Sequence, residues 1–231
     1  MIPVTDAVRR RSFPYVNLAL ILINIAVFLY ELSLSAGDLN SFFFDWGAIP
    51  VRLIAWWDNP SGTRVPETIF TAMFLHGGWL HLFGNMIFLW VFGDNVEDAL
   101  GHLGYLVFYF VAGVGAAAMQ TYMSQDSVVP MVGASGAIAG VLGAYLIMYP
   151  RAIVGIVIPL LFFLGPLPMP AALLIGFWFL LQLLNGLATV GPDTTTGGVA
   201  FWAHVGGFVV GVVVALFLRP FLRRLSAYLH A

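Results

Sequence analysis

The sequence contains no cysteine and no lysine, and charged residues make up only 9% of its 231 residues. Without cysteine, disulfide bonds and thiolate chemistry are excluded, and the redox compartment is not indicated. In a soluble domain about a quarter of the residues are charged, so this chain has too few charged residues to cover a surface in water. The formal net charge of −2 shows no basic excess of the kind that suggests a nucleic-acid partner. The solvent of this protein is therefore largely lipid.

Apolar residues are abundant instead, at 61% of the chain. The first apolar run follows Arg9-Arg10-Arg11, but it is longer than the apolar core of about 7–15 residues in a signal peptide. About 20 helical residues cross a hydrocarbon core of about 30 Å. We therefore predict an all-α membrane protein with six transmembrane helices, at residues 16–34, 79–92 with a polar extension to 98, 103–123, 135–149, 171–187 and 199–218.

The connecting segments complete the predicted organisation. Residues 37–75 are rich in tryptophan and phenylalanine between prolines, which favours a loop in the membrane interface. Residues 152–170 are apolar but broken by glycine and proline, which predicts a connection on or in the interface. We divide the chain into a short basic arm (1–14), a six-helix membrane domain (15–219) and a short basic tail (220–231).

The arginines predict the orientation. Six spans place both termini on one side, together with the clusters of arginine at both ends and Arg151 after the fourth span. The positive-inside rule makes that side the cytoplasm, with Arg52 and Arg64 as the outer minority. The expected location is the cell membrane, with a multi-pass topology.

Four polar residues fall at similar predicted depth, in the outer half of the bilayer. His81 and Asn85 begin the second span, Ser135 the fourth and His204 the sixth, and these spans run in the same direction. Polar groups inside a membrane usually mark function. A serine becomes a nucleophile when a base such as His204 takes its proton. His81 and Asn85, four residues apart on one helix face, and the Ser135 amide can stabilise an oxyanion.

Small residues are predicted to bring the helices that carry Ser135 and His204 close together. Gly136 and Gly140 on the fourth span form one small-xxx-small pair, and Gly207 and Gly211 on the sixth form another. Such faces let helix backbones pack closely. Close packing of the two spans brings the ring of His204 to the hydroxyl of Ser135.

Together, three motifs resemble the rhomboid family of intramembrane serine proteases, in that family's order. The motifs are His76-Gly77-Gly78-Trp79-Leu80-His81 with Asn85, then Gly133-Ala134-Ser135-Gly136, then Ala203-His204-Val205-Gly206-Gly207. The resemblance covers roughly residues 14–218 and implies a six-helix bundle without metal or cofactor. It also implies transmembrane-helix substrates within the lipid bilayer, no nucleic-acid partner, and a site that opens to the extracytoplasmic side.

The resemblance also implies a role for each residue. Ser135 is the expected nucleophile and His204 its base, in a dyad without aspartate. His81, Asn85 and the Ser135 amide form the expected oxyanion site. His76 braces the loop before the second span, and structural support comes from Gly133, Gly136 and Gly207. Span five and the loop at residues 188–198 resemble a mobile gate and cap.

Two departures from the family pattern raise questions. Some relatives place a tyrosine four residues after the nucleophile, stacked on the catalytic histidine, where this chain has Ala139. Some carry Trp-Arg before the histidine that matches His76, where this chain has Glu67-Thr68. The first departure leaves open what orients His204, and the second leaves open how the first loop is anchored.

Parts of the sequence pattern bear on three other functions. A zinc metalloprotease could use His76, His81 and His204, but the chain has no His-Glu-x-x-His motif and no evident carboxylate ligand in its spans. A rhomboid-like pseudoprotease that binds membrane helices without cutting them usually lacks the serine or the histidine, and both are present. A transporter is disfavoured because the polar residues do not form two matching halves.

Overall fold

The computed structural model describes residues 1–60, 64–158, 163, 165–189 and 198–228, with side chains up to residue 218. Within these residues the chain is mostly helical. The helices are α1 (Tyr15–Glu31), α2 (Ala36–Trp46), α3 (Pro50–Asp58), α4 (Glu67–Thr71), α5 (Trp79–Leu100), α6 (His102–Met123), α7 (Ser135–Met148), α8 (Ala171–Ala188) and α9 (Phe201–Tyr228). The strands are β1 (Ile2–Asp6), β2 (Ile153–Val157) and β3 (Leu167–Pro170).

Helices α6, α8 and the Phe201–Leu218 part of α9 are long and apolar enough to cross a membrane. Helix α5 and the Glu67–Phe74 segment before it together pass the same criterion, although they meet at a bend of 95°. Helices α1 and α7 are apolar but shorter. The chain is therefore a multi-pass membrane protein.

Helix α7 lies at the centre of the bundle and packs against α5, α6, α8 and α9. Every residue from Gly136 to Tyr145 is buried, which suits a helix that is apolar on all sides. Helix α9 crosses it backbone against backbone. A side chain at Gly207 would meet the carbonyl oxygen of Gly136, and one at Gly211 would meet that of Gly140. The small residues thus allow the close packing that the sequence predicts.

A three-stranded antiparallel sheet, in the order β1-β2-β3, lies at the end of α7 opposite to Ser135. The expectation of an all-α chain is wrong at this sheet, because the sequence pattern predicts a basic arm for residues 1–14 and a connection on or in the interface for residues 152–170. The middle strand β2 is rich in β-branched residues, and Val154 and Ile156 are 0% and 1% exposed. The prolines fall on the two edge strands, where a missing amide hydrogen is tolerated.

Glu97, near the end of α5, fastens the start of α1. Its carboxylate accepts hydrogen bonds from the backbone amides of Val16 and Asn17, at 3.0 and 2.7 Å, and contacts the ring of His102. Helix α1 begins after Pro14 without a side-chain cap of its own. A buried negative charge therefore takes the amides that a first helical turn leaves unpaired, and it complements the helix dipole.

Three short helices, rather than an irregular loop, occupy most of the segment between α1 and α5. The hydroxyl of Thr71 donates to the backbone oxygen of Trp46 at 2.6 Å. Ala48 and Met131 exchange two backbone hydrogen bonds of 2.7 and 3.1 Å, which tie the segment to the strand-like stretch before α7. These contacts hold the first loop without a Trp-Arg pair at Glu67-Thr68.

Candidate active site

Ser135 and His204 meet between two membrane helices. Ser135 is the first residue of α7, and His204 lies in the first turn of α9. The imidazole Nε2 of His204 is 2.8 Å from the Ser135 hydroxyl oxygen, and the histidine is only 7% exposed. This distance suits a hydrogen bond in which the hydroxyl donates. The close approach of α7 and α9 at their glycines brings the two side chains together.

Gly133 brings the side chains of α5 close to Ser135. Its φ of +123° is a conformation that favours glycine. An added Cβ there would lie 2.6 Å from His81 Nε2 and 3.6 Å from Asn85 Nδ2. Both side chains therefore lie against the backbone just before the nucleophile candidate. The first amides of α7 are at the same place, and helix starts leave such amides without intrahelical partners.

His76 and Glu31 support this arrangement from behind. The Asn85 amide nitrogen lies 2.9 Å from His76 Nε2, so Asn85 donates and Nε2 accepts. The proton of the neutral His76 ring is then on Nδ1, which lies 3.3 Å from the carbonyl of Phe74. The buried carboxylate of Glu31 accepts from the His76 backbone amide at 3.1 Å. His76 thus joins the end of the first loop, at Phe74, to Asn85 on α5, and its predicted role of bracing the loop stays a prediction.

Two contacts to His204 were not predicted from the sequence. The side-chain oxygen of Gln182 on α8 is 2.8 Å from His204 Nδ1. The ring of Trp178, one turn earlier on α8, lies 5.7 Å from the imidazole centroid. The sequence signal for the Gln182 contact was an isolated glutamine in an apolar span. Glu31, an acidic residue at the end of the first apolar run, was the corresponding signal for the contact to the His76 amide. The predicted cap loop at residues 188–198 lies largely outside the described residues.

In the part of the chain that the structure describes, no group of three or more histidine and acidic side chains is arranged to hold a metal ion. What is assembled at the starts of α7 and α9 is a hydroxyl, an imidazole against it, and hydrogen-bond donors from α5. A nucleophile, a base and an oxyanion site are built from groups of these kinds.

A bundle of apolar helices with a serine hydroxyl against a histidine ring between two of them defines a class, the multi-pass membrane proteins with a polar site among their helices. The family model for the rhomboid domain matches residues 64–221. The chain belongs to the rhomboid family, and the resemblance predicted from the three motifs is confirmed.

Curated relatives include one protein named as a rhomboid protease, one named as a putative rhomboid protease, and others named only as rhomboid or rhomboid-like proteins. The chain is 28% identical over 218 residues to Rhomboid protease AarA of Providencia stuartii, covering 87% of this chain and 71% of the relative. It is 32% identical over 102 residues to the putative rhomboid protease YdcA of Bacillus subtilis, covering 42% and 51%. It is 26% identical over 155 residues to Rhomboid protein 1, mitochondrial, of Saccharomyces cerevisiae, covering 65% and 41%. The chain therefore spans only part of several relatives.

Proposed function

We propose that this protein is an intramembrane serine protease that hydrolyses peptide bonds in or near the transmembrane helices of other membrane proteins. The observation that carries the proposal is the 2.8 Å contact between Ser135 Oγ and His204 Nε2 inside an apolar helix bundle. Membership of the rhomboid family and similarity to relatives named as rhomboid proteases support it.

The proposed location is the cell membrane. The proposed topology has six spans, formed by α1 and α5 to α9, and both termini lie in the cytoplasm. Helix α7 has 14 residues, a length of about 21 Å at a rise of about 1.5 Å per residue. It is shorter than the hydrocarbon core of about 30 Å, which supports a position of Ser135 below the membrane surface. The arginines at both termini and Arg151 set the orientation by the positive-inside rule, so that the site opens to the extracytoplasmic side.

In the proposed mechanism the Ser135 hydroxyl attacks the scissile carbonyl carbon while His204 Nε2 takes its proton. The developing oxyanion accepts hydrogen bonds from His81, Asn85 and the Ser135 backbone amide. The histidine then gives the proton to the leaving amine, which releases the first product and leaves an acyl-enzyme. Water, deprotonated by the same imidazole, hydrolyses the ester and restores Ser135. Apart from the substrate and the water, every group in these steps belongs to this chain.

The substrate helix must unwind before it is cut, because the carbonyls of an intact helix are hydrogen-bonded and shielded. Glycine or proline near the cleavage site lowers the cost of unwinding by about 1 to 3 kcal/mol for each residue. We therefore expect cleavage near helix-weakening residues. A small residue before the scissile bond is what the family resemblance implies.

The test is cleavage of a model single-span substrate in proteoliposomes by the wild type, Ser135→Ala and His204→Ala. Loss of cleavage in both folded variants supports the proposal, as does wild-type labelling by a fluorophosphonate probe that Ser135→Ala abolishes. Binding of helices without cleavage and without labelling points to the pseudoprotease instead. Cleavage that persists in Ser135→Ala and stops with a chelator assigns zinc chemistry.

A further inference from the structure

The side chain of Gln182, on α8, lies against the ring nitrogen of His204 that does not contact Ser135. Its Oε1 lies 2.8 Å from His204 Nδ1, while His204 Nε2 lies 2.8 Å from the Ser135 hydroxyl. The imidazole is therefore held at both nitrogens. Ser135, His204 and Gln182 come from α7, α9 and α8, so three separate helices build the arrangement.

The chemistry of the contacts fixes which end of the Gln182 amide faces the histidine. The amide nitrogen lies 3.3 Å from the backbone oxygen of Trp178, which can only accept a hydrogen bond. With the amide reversed, two oxygens would face each other at that contact. The nitrogen therefore points to Trp178, and the oxygen points to His204.

An amide oxygen at Nδ1 determines the tautomer of the ring. Because Oε1 can only accept, Nδ1 must carry a proton, and in the neutral imidazole the lone pair is then on Nε2. Nε2 is the nitrogen that lies against the Ser135 hydroxyl and must accept its proton. Gln182 achieves this without an ionised side chain, which is costly inside a membrane.

We propose that Gln182 is a positioning residue that holds His204 in the tautomer and orientation able to accept the Ser135 proton, and so makes the dyad depend on the docking of α8. The proposal rests on the proposed protease function. It accounts for what orients His204 in a chain that has Ala139 where some relatives have a tyrosine stacked on the histidine. The ring of Trp178, which lies beside the imidazole, adds a second contact from α8.

The dependence on α8 follows from how this helix is packed. Of its 18 residues, only four are buried, namely Ala171, Leu174, Ile175 and Gly186. Three of the four lie in the first five residues of α8, next to β3, whereas only Gly186 is buried in the half of the helix that carries Gln182. Displacement of this part of α8 removes the acceptor from Nδ1 and leaves the ring free to turn.

The test compares Gln182→Met, which keeps the length of the side chain and removes the acceptor, with Gln182→Glu, which keeps an acceptor. Gln120→Met is the matched control, because Gln120 also joins α9 to a neighbouring helix, by accepting from the Ala203 amide at 3.1 Å, without touching the imidazole. Nitrogen-15 NMR of histidine-labelled protein reports the tautomer, with the His204 signals assigned by their loss in His204→Ala.

We expect His204 to be protonated at Nδ1 in the wild type and in Gln120→Met, and to become a mixture of tautomers in Gln182→Met. In cleavage assays, kcat of Gln182→Met falls by about 10- to 100-fold, while KM changes little and Gln182→Glu retains more activity than Gln182→Met. An unchanged tautomer in Gln182→Met overturns the proposal, and so do equal losses in Gln182→Met and Gln120→Met.

The two proposals fail in different ways. If the wild type neither cleaves substrates nor reacts with the fluorophosphonate, the protease function fails, while the NMR comparison still decides whether Gln182 sets the tautomer. If Ser135→Ala abolishes cleavage and Gln182→Met leaves both kcat and the tautomer unchanged, the protease function stands and the role of Gln182 is refuted.

Discussion

Replacing Gly211 by alanine tests whether the close packing of α7 and α9 positions the active site. Gly211 lies two turns beyond His204, and the atoms nearest to an added Cβ there belong to Gly140. A Cβ at this position would lie 2.7 Å from the carbonyl carbon and 2.8 Å from the Cα of Gly140. Carbon atoms prefer separations of about 3.5–4.0 Å, so the two helices must move apart by about 1 Å.

The consequence for the site is larger than the consequence for stability. Overpacking costs about 1–3 kcal/mol, and alanine regains about 0.5–1 kcal/mol over glycine within a helix, which leaves a net loss between about 0 and about 2.5 kcal/mol. A shift of the same size at the 2.8 Å contact between Ser135 and His204 breaks their hydrogen bond. Displacement by about 1 Å can lower a rate by about 100-fold.

The assay measures kcat/KM for a model substrate in proteoliposomes, together with the thermal unfolding midpoint. Gly176→Ala is the matched control, because a Cβ on this glycine of α8 has no atom within 4 Å. We expect the control to behave like the wild type and Gly211→Ala to lose about 100-fold in activity while remaining folded. Wild-type activity in Gly211→Ala would refute the argument that backbone contact between α7 and α9 sets the geometry of the dyad.

Three further predictions concern other contacts. Gly133→Ala, with its Cβ 2.6 Å from His81 Nε2 at a φ of +123°, should lower cleavage and fluorophosphonate labelling by about 100-fold. Glu97→Ala should lower the unfolding free energy by about 2–3 kcal/mol, measured against the exposed control Asp126→Ala, because the first amides of α1 lose their acceptor. Burial, opposed by the Tyr145 hydrogen bond, raises the pKa of Asp6. The protonated Asp6 side chain therefore contributes stability that is full below about pH 3.9 and is lost as pH rises through the folded-state pKa of Asp6. Protection of the β1 amides against hydrogen exchange should fall as the pH rises. In Asp6→Asn, which has no carboxyl group to titrate, this fall should be less steep.

Much of the fold could be predicted from the sequence, because a membrane restricts the length and the polarity of the helices that cross it. The predicted fifth span, residues 171–187, agrees with α8 (Ala171–Ala188), and the predicted third span, residues 103–123, agrees with α6 (His102–Met123). The sheet was missed because a segment such as 153–157 is too short and too apolar to be told from a piece of buried helix by its pattern. Its partner strand, Ile2–Asp6, is about 150 residues distant in sequence, and local pattern alone carries no information on such pairings.

The same limit explains which parts of the candidate site could be predicted. Ser135 and His204 stand at the starts of glycine-bearing helices, and small-residue spacing indicates close contact between two such faces. Gln182 lies on a helix that is apolar all round, where no amphipathic pattern tells which face points inward. Its identity as a polar residue was visible, but its partner was not, because the partner depends on the rotation of α8 about its own axis. In a membrane bundle, lone polar side chains therefore indicate that a contact exists, and only the packing of the helices decides which contact it is.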